Sequence, residues 1–224
     1  SSCRIASLDA EKAFDRVWRY GLFFKLIKKI NISYWVLLKI YYDSAAAVVS
    51  LPNILPSVEF DIETGVKHGG ILSPFLFNTF IDDLIDECLD KNLGAQYENL
   101  NVSIIVYADD ILLISPVDSH LQILLDICGN FGTKWRLKFN PFKTHIITFG
   151  QPLFRSKFYL NGSGLEEKDT IEYLGFKFSK NLDFNSQALV TSIGSVKIRN
   201  VKVRDWWSLR LATSSIILEC GERT

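Results

Sequence analysis

Tyr107-Ala108-Asp109-Asp110 sets two adjacent carboxylates inside a run that is otherwise apolar. Ile104, Ile105 and Val106 precede the pair, and Ile111, Leu112, Leu113 and Ile114 follow it. Short apolar runs rich in β-branched residues read as buried strands, so the segment predicts two strands joined by a tight turn. Burying a carboxylate costs free energy unless it is paired or binds a cation. Two side by side also repel each other, so something positive is expected opposite them. A divalent metal site is one reading of the pair, and a solvated Asp-Asp hairpin turn is the other.

A third carboxylate favours the metal. Arg4-Ile5-Ala6-Ser7-Leu8 is a mostly apolar run ending at Asp9, and a helical pattern over Ala10–Val17 follows it. Taken alone, Asp9 is better explained as a helix N-cap, although Lys12 stands where a capping box wants Glu or Gln. Together with Asp109 and Asp110 it makes three carboxylates, each at the end of an apolar strand. Oxygen ligands of this kind suit Mg²⁺, which binds few protein groups and keeps positions for water and substrate phosphates.

Five segments, in order, carry a family resemblance. Ser7-Leu8-Asp9-Ala10-Glu11-Lys12-Ala13-Phe14-Asp15-Arg16-Val17 resembles the first palm motif of reverse transcriptases of the non-LTR (LINE-like) retrotransposon group. Gly65-Val66-Lys67-His68-Gly69-Gly70-Ile71-Leu72-Ser73-Pro74 with Phe75-Leu76-Phe77-Asn78 resembles the second, and Tyr107-Ala108-Asp109-Asp110 the third. Leu137-Lys138-Phe139-Asn140-Pro141-Phe142-Lys143-Thr144 is similar to the fourth, and Tyr173-Leu174-Gly175-Phe176 to the fifth.

The resemblance implies an RNA-directed DNA polymerase that adds dNTPs to the 3′ end of a DNA primer on an RNA template. It implies that Asp9 and Asp109 hold two Mg²⁺ ions (Mn²⁺ as a substitute), with the Ala10 carbonyl assisting and Asp110 completing the cluster. Ions about 4 Å apart activate the 3′-hydroxyl and stabilise the leaving pyrophosphate. Phe14 matches the aromatic gate that crowds a ribose 2′-hydroxyl, and Lys143 a lysine that acts on the leaving group. Tyr107 belongs to the substrate-facing hairpin, while Tyr173, Leu174 and Gly175 belong to one that grips the primer terminus. His68 stands where the family usually has Gln, beside Gly69 and Ser73 in the loop that contacts template or incoming nucleotide.

Residue chemistry offers plainer explanations for several of these. Ala13, Phe14 and Val17 would form an apolar helix face. The Gly69-Gly70 pair and Pro74 would make an ordinary strand-to-helix turn whose amides also suit a phosphate. A lysine in a loop is usually just solvated, and Gly175 would mark a bulge or a close backbone approach.

The remaining pattern predicts an α+β fold, the polymerase palm, with an antiparallel sheet and helices on one face. Gly21 is expected to interrupt the first helix, and a second carries Leu22, Phe23, Leu26, Ile27 and Ile30. Helical character continues over Tyr34–Tyr42. Residues 45–51 and 57–64 read as a hairpin, with Val58, Phe60 and Ile62 on the buried side of its second arm. Helices are predicted over Phe75–Lys91, with Asp82 and Asp83 turned away from the metal site, and over Ser119–Trp135. Strands are predicted at Leu137–Asn140, Thr144–Gly150, Phe158–Leu160 and Glu172–Ser179.

The chain has 224 residues and no net charge. That is not basic for a protein handling nucleic acid. Lys197, Arg199, Lys202 and Arg204, followed by Trp206 and Trp207, form a local basic patch suited to a nucleic-acid backbone or to simple solvation. Four cysteines without C-x-x-C spacing argue against zinc and for reduced thiols in the nucleus or cytoplasm. No membrane-spanning apolar run is present in the sequence. Residues 1–180 are expected to be the reverse transcriptase domain, palm with partial fingers insertions. Residues 181–224 are expected to begin a thumb or to be an unrelated tail. The short approach to Asp9 implies a fragment lacking most of the fingers. That sets an alternative function, an inactive retrotransposon-derived nucleic-acid-binding module. A two-metal nuclease would leave Phe14, the Gly-Gly turn and the Tyr173 hairpin unexplained.

Overall fold

The computed structural model describes residues 2–67, 69–152, 154–174 and 176–180. In chain order these form β1 (Ser2–Asp9), α1 (Arg19–Leu26), α2 (Ile32–Asp43), β2 (Ala46–Ala47), β3 (Phe60–Asp61) and α3 (Ser73–Asp90). Next come β4 (Gln96–Tyr97), β5 (Leu100–Asn101), β6 (Ile104–Tyr107), β7 (Asp110–Ser115), α4 (Asp118–Trp135) and β8 (His145–Gly150). The short strands β9 (Tyr159–Leu160), β10 (Ser163–Gly164) and β11 (Glu166–Glu167) lead to the hairpin of β12 (Thr170–Tyr173) and β13 (Phe176–Ser179). Two compact units result. Among the described residues, one holds 2–9, Ile85–Asn130 and 139–180, and the other holds Ala10–Leu84 with Phe131–Lys138.

The first unit is built on a sheet ordered β11-β8-β1-β7-β6. Its pairings are antiparallel except β11 with β8. Strand β1 lies at the centre and is buried on both faces. That is why its sequence is mostly apolar, Arg4 and Ser7 apart, rather than an alternation of apolar and polar residues. Cys3 and Ile5 share one face with Leu112, Ile114, Ile147 and Phe149, and Ile171 and Tyr173 of β12 and Ala95 and Val102 pack in the same cluster. The opposite face, with Ala6, Leu8, Ile111, Leu113 and Ile146, is buried as well. Arg4 on that face bonds Asp118 at the start of α4, and α4 buries Leu121, Leu124, Leu125 and Cys128. The architecture is therefore α+β, with helix on one face of the sheet and short hairpins on the other.

The second unit departs from the sequence reading at several points. No helix follows Asp9; residues 11–16 form turns, with Lys12 in the left-handed region at φ 48°. The backbone there is spent on tertiary bonds: Glu11 N–H to the Lys138 carbonyl, Val66 N–H to Phe14, and Gly65 N–H to Val17. Asp9 is thus no N-cap, and Phe14 stands on no helix face. Gly21 does not interrupt a helix but lies inside α1, where a Cβ would stand 2.6 Å from the Trp18 ring.

The hairpin predicted over 45–64 shrinks to two residue pairs between β2 and β3. Its supposed buried side is open, with Val58 88% exposed. Alternation marked the pleat there without marking a core. Asp82 and Asp83 ion-pair with Lys29 and Lys25, outside any metal cluster. Lys25 is a buried cation, whose Nζ lies 3.8 Å from the Trp135 ring centroid and 4.7 and 5.1 Å from those of Phe131 and Phe80. It donates to the Phe80 carbonyl at 2.5 Å and meets Asp83 at 3.1 Å.

Candidate active site

The register of β1 against β7 runs from Arg4↔Ser115 to a last pair, Asp9↔Asp110. On the other side of β7, Tyr107 of β6 stands opposite Asp110. Side chains alternate across a strand, so Tyr107, Asp110 and Asp9 form a row on the face that carries Leu112, Ile5 and Tyr173. Ala108 and Asp109 make the two-residue turn, and Ala108 takes a left-handed φ of 51°. Two-residue hairpins need such a residue because their turns must match strand twist. The sequence reading of two strands and a tight turn holds, and it brings the three carboxylates to one end of the sheet.

Partial burial pushes the Asp110 carboxyl above its usual range, and the nearby charges of Asp109 and then Asp9 push it further. No ion pair from a lysine or arginine reaches any of the three among the described residues. Three acids crowded without a protein cation are a donor set that fits a divalent metal with oxygen ligands. The carboxylates are neighbours rather than a closed cage. Among the described residues, no three His, Cys, Asp or Glu converge closely enough to hold an ion.

Asp9 is fixed by a segment read from sequence as a strand. Residues 137–140 form no strand; Asn140 opens a turn instead. The Asn140 N–H donates to the Asp9 carbonyl at 2.9 Å, and the Thr144 hydroxyl oxygen accepts from the Asp9 N–H at 3.4 Å. The turn is closed by Thr144 N–H to the Asn140 carbonyl at 2.9 Å and by the Asn140 side chain accepting from Phe142 N–H at 3.0 Å. Lys143 is exposed on this turn. Asn140 and Thr144 are positioning residues that sequence reasoning did not single out; the Asn-Pro dipeptide, a turn initiator, was the available signal.

Residues 172–179, read as one strand from the residue pattern and as part of a hairpin from the family resemblance, are a hairpin, because Leu174 takes a φ of 51° and reverses the chain. Leu174 is exposed at its tip, and Gly175 lies outside the described residues. Tyr173 is 8% exposed and its hydroxyl has no hydrogen-bond partner. Burial raises its pKa far above the usual phenol value, with Asp110 and Tyr107 adding to the effect.

The other sequence-derived candidates belong to the second unit. Ala10 is buried. Phe14 is half-buried, its ring stacked on Phe77 at 4.9 Å and its carbonyl held by Val66 N–H at 2.8 Å, so it is a rigid side chain. Gly69 takes φ 69° with open space where a Cβ would stand. Ser73 is buried at the start of α3, its hydroxyl donating to the Lys67 carbonyl and its N–H to Gly70. The hydroxyl therefore ties the loop together. His68 lies outside the described residues, as do Lys197, Arg199, Lys202, Arg204, Trp206 and Trp207. No helix among the described residues is long and apolar enough to cross a membrane.

The chain resembles known proteins over most of its length. The chain is 29% identical over 184 residues to the RNA-directed DNA polymerase from mobile element jockey of Drosophila funebris, which covers 79% of this chain and 20% of that protein. It is 31% identical over 192 residues to the Pol polyprotein from the type-2 retrotransposable element R2DM of Drosophila melanogaster, covering 80% and 18%. The chain thus spans about a fifth of the length of these relatives. Among solved structures, apo telomerase from Candida tropicalis superimposes with a TM-score of 0.58 at 14% identity, covering 81% of this chain and 35% of that one, which marks the fold as a polymerase palm. The profile of the reverse transcriptase (RNA-dependent DNA polymerase) family matches residues 1–178, and the chain belongs to that family.

Proposed function

We propose that this chain is the catalytic palm of an RNA-directed DNA polymerase. It would extend a DNA primer on an RNA template with dNTPs, by phosphoryl transfer at Asp9, Asp109 and Asp110. The pairing of Asp9 with Asp110 beside the Asp109 turn carries this reading. Two Mg²⁺ ions bound there would supply a more acidic 3′-hydroxyl and charge opposite the departing pyrophosphate.

The chain's own residues have complementary tasks. Asp9 and Asp109 hold the cations, and Asp110 adds negative charge to the cluster. The Asn140–Thr144 turn keeps the Asp9 backbone still, and Lys143, exposed on it, is the candidate donor for the leaving group. From the family resemblance, the rigid Phe14 ring is the group that would exclude a 2′-hydroxyl. His68, Gly69 and Tyr107 would contact template or nucleotide, and Leu174 and Gly175 the primer. Ser73, with its hydroxyl committed to Lys67, would shape the loop.

The test is extension of a DNA primer annealed to RNA, with dNTPs and Mg²⁺ or Mn²⁺. The chain is expected to extend weakly, with extension and Mn²⁺ binding both abolished by Asp109→Ala. Extension or Mn²⁺ binding that survives Asp109→Ala refutes the assignment.

A further inference from the structure

One buried polar group beside the carboxylates has no task in the reaction described above: the hydroxyl of Tyr173. It is shut off from solvent and unpartnered. A buried hydroxyl left unsatisfied destabilises the fold. Phenylalanine would fill the same space without that cost. The ring packs in the cluster that includes Leu112, two residues along β7 from Asp110 and therefore on the same face. Its backbone is pinned by pairing with Phe176 and by the Leu174 reversal, so the hydroxyl has little freedom to seek a partner elsewhere. Asp110 and Tyr107 are the titratable groups that act on it. The same end of the sheet holds three carboxylates that are adjacent but not converged.

We propose that Tyr173 is a positioning residue for Asp110, its O–H donating to the carboxylate, directly or through one water, and holding it turned toward Asp9 and Asp109. The inference rests on the metal-binding reading of the three carboxylates. A phenol O–H is a suitable donor to a carboxylate.

The experiment titrates Mn²⁺ into the 224-residue chain, with free Mn²⁺ followed by electron paramagnetic resonance. Wild type, Tyr173→Phe, Asp110→Asn and the double variant are compared, with thermal unfolding of each measured without metal. Tyr173→Phe keeps the ring and is expected to unfold no earlier than wild type while binding Mn²⁺ about 10-fold more weakly, the scale of loss for an outer-sphere partner. In the Asp110→Asn background the same change is expected to add nothing further. Wild-type binding with unchanged affinity in Tyr173→Phe, or equal losses in both backgrounds, overturns the role of Tyr173 alone. Absence of Mn²⁺ binding by wild type overturns the metal reading beneath it, and the inference with it.

Discussion

Replacing Lys25 separates what its charge contributes from what its carbon stem contributes. The side chain is 4% exposed, enclosed by the rings of Trp135, Phe131 and Phe80. Lys25→Ala deletes three stem methylenes, worth about 0.8 kcal/mol each on transfer. The void between the rings adds to that loss, so a total of about 3–4 kcal/mol is expected. Lys25→Met keeps nearly the whole stem and removes only the ammonium. The partners left behind are tolerant: the Asp83 side chain is 42% exposed and regains water, and the Phe80 carbonyl lies inside α3. Relief of the desolvated charge offsets the lost hydrogen bond and ring contacts, so Met should cost about 1 kcal/mol or less.

Urea unfolding followed by tryptophan fluorescence measures both variants. Burial lowers the Lys25 pKa from 10.5, so the unfolded chain holds the proton more tightly. Wild-type stability should therefore gain a contribution as pH rises through the folded value toward 10.5, and Lys25→Met should lack it. Equal losses for Ala and Met would refute the reasoning, because the charge would then be required rather than accommodated.

Further outcomes follow from the site and its supports. Asp110 ionises less readily folded than unfolded, so its contribution falls as pH rises above 3.8; Asp110→Asn should raise the metal-free melting temperature at neutral pH and not below pH 3. Gly65→Ala should destabilise by more than about 3 kcal/mol in urea titration, because φ is +83° and the new Cβ would meet the Asp15 carbonyl oxygen at 2.6 Å. Asn140→Ala, which removes the acceptor for Phe142 N–H, should lose about 1 kcal/mol and weaken Mn²⁺ binding by loosening the turn under Asp9. Cys88 and Cys128 are buried against each other, so a thiol reagent should modify them only at the rate of unfolding, and faster labelling would expose local opening.

Legibility in the sequence tracked whether a segment's structure is decided locally. Strand β1 and the β6–β7 hairpin were readable because their apolar runs are buried on both sides of a turn with a strong charge signature. Helices α3 and α4 were readable from their stripes. The turns after Asp9 were not, because Lys12 adopts a left-handed φ and the backbone bonds to residues about fifty or more positions away. The arm at Val58 alternates without a core to face. Within the site, the carboxylates stood out by their energetic awkwardness, whereas Asn140 and Thr144 act through backbone bonds that no side-chain pattern announces.

Arg4 has a consequence for the site that its position alone conceals. A strand buried on both faces has little alternation to tell one pairing register from the next, and a slip by one residue turns every side chain over. β1 is such a strand, and Asp9 meets Asp110 in only one register. Its one interior charge is Arg4, bonded to Asp118 and to the Phe154 carbonyl at 3.1 Å and lying 5.8 Å from the Phe158 ring centroid. A slipped strand would carry that guanidinium to the wrong face, unpaired and dry, at a cost of several kcal/mol. The ion pair thus serves as an alignment key. Five residues and about 17 Å from the carboxylates, it decides which of them can stand side by side.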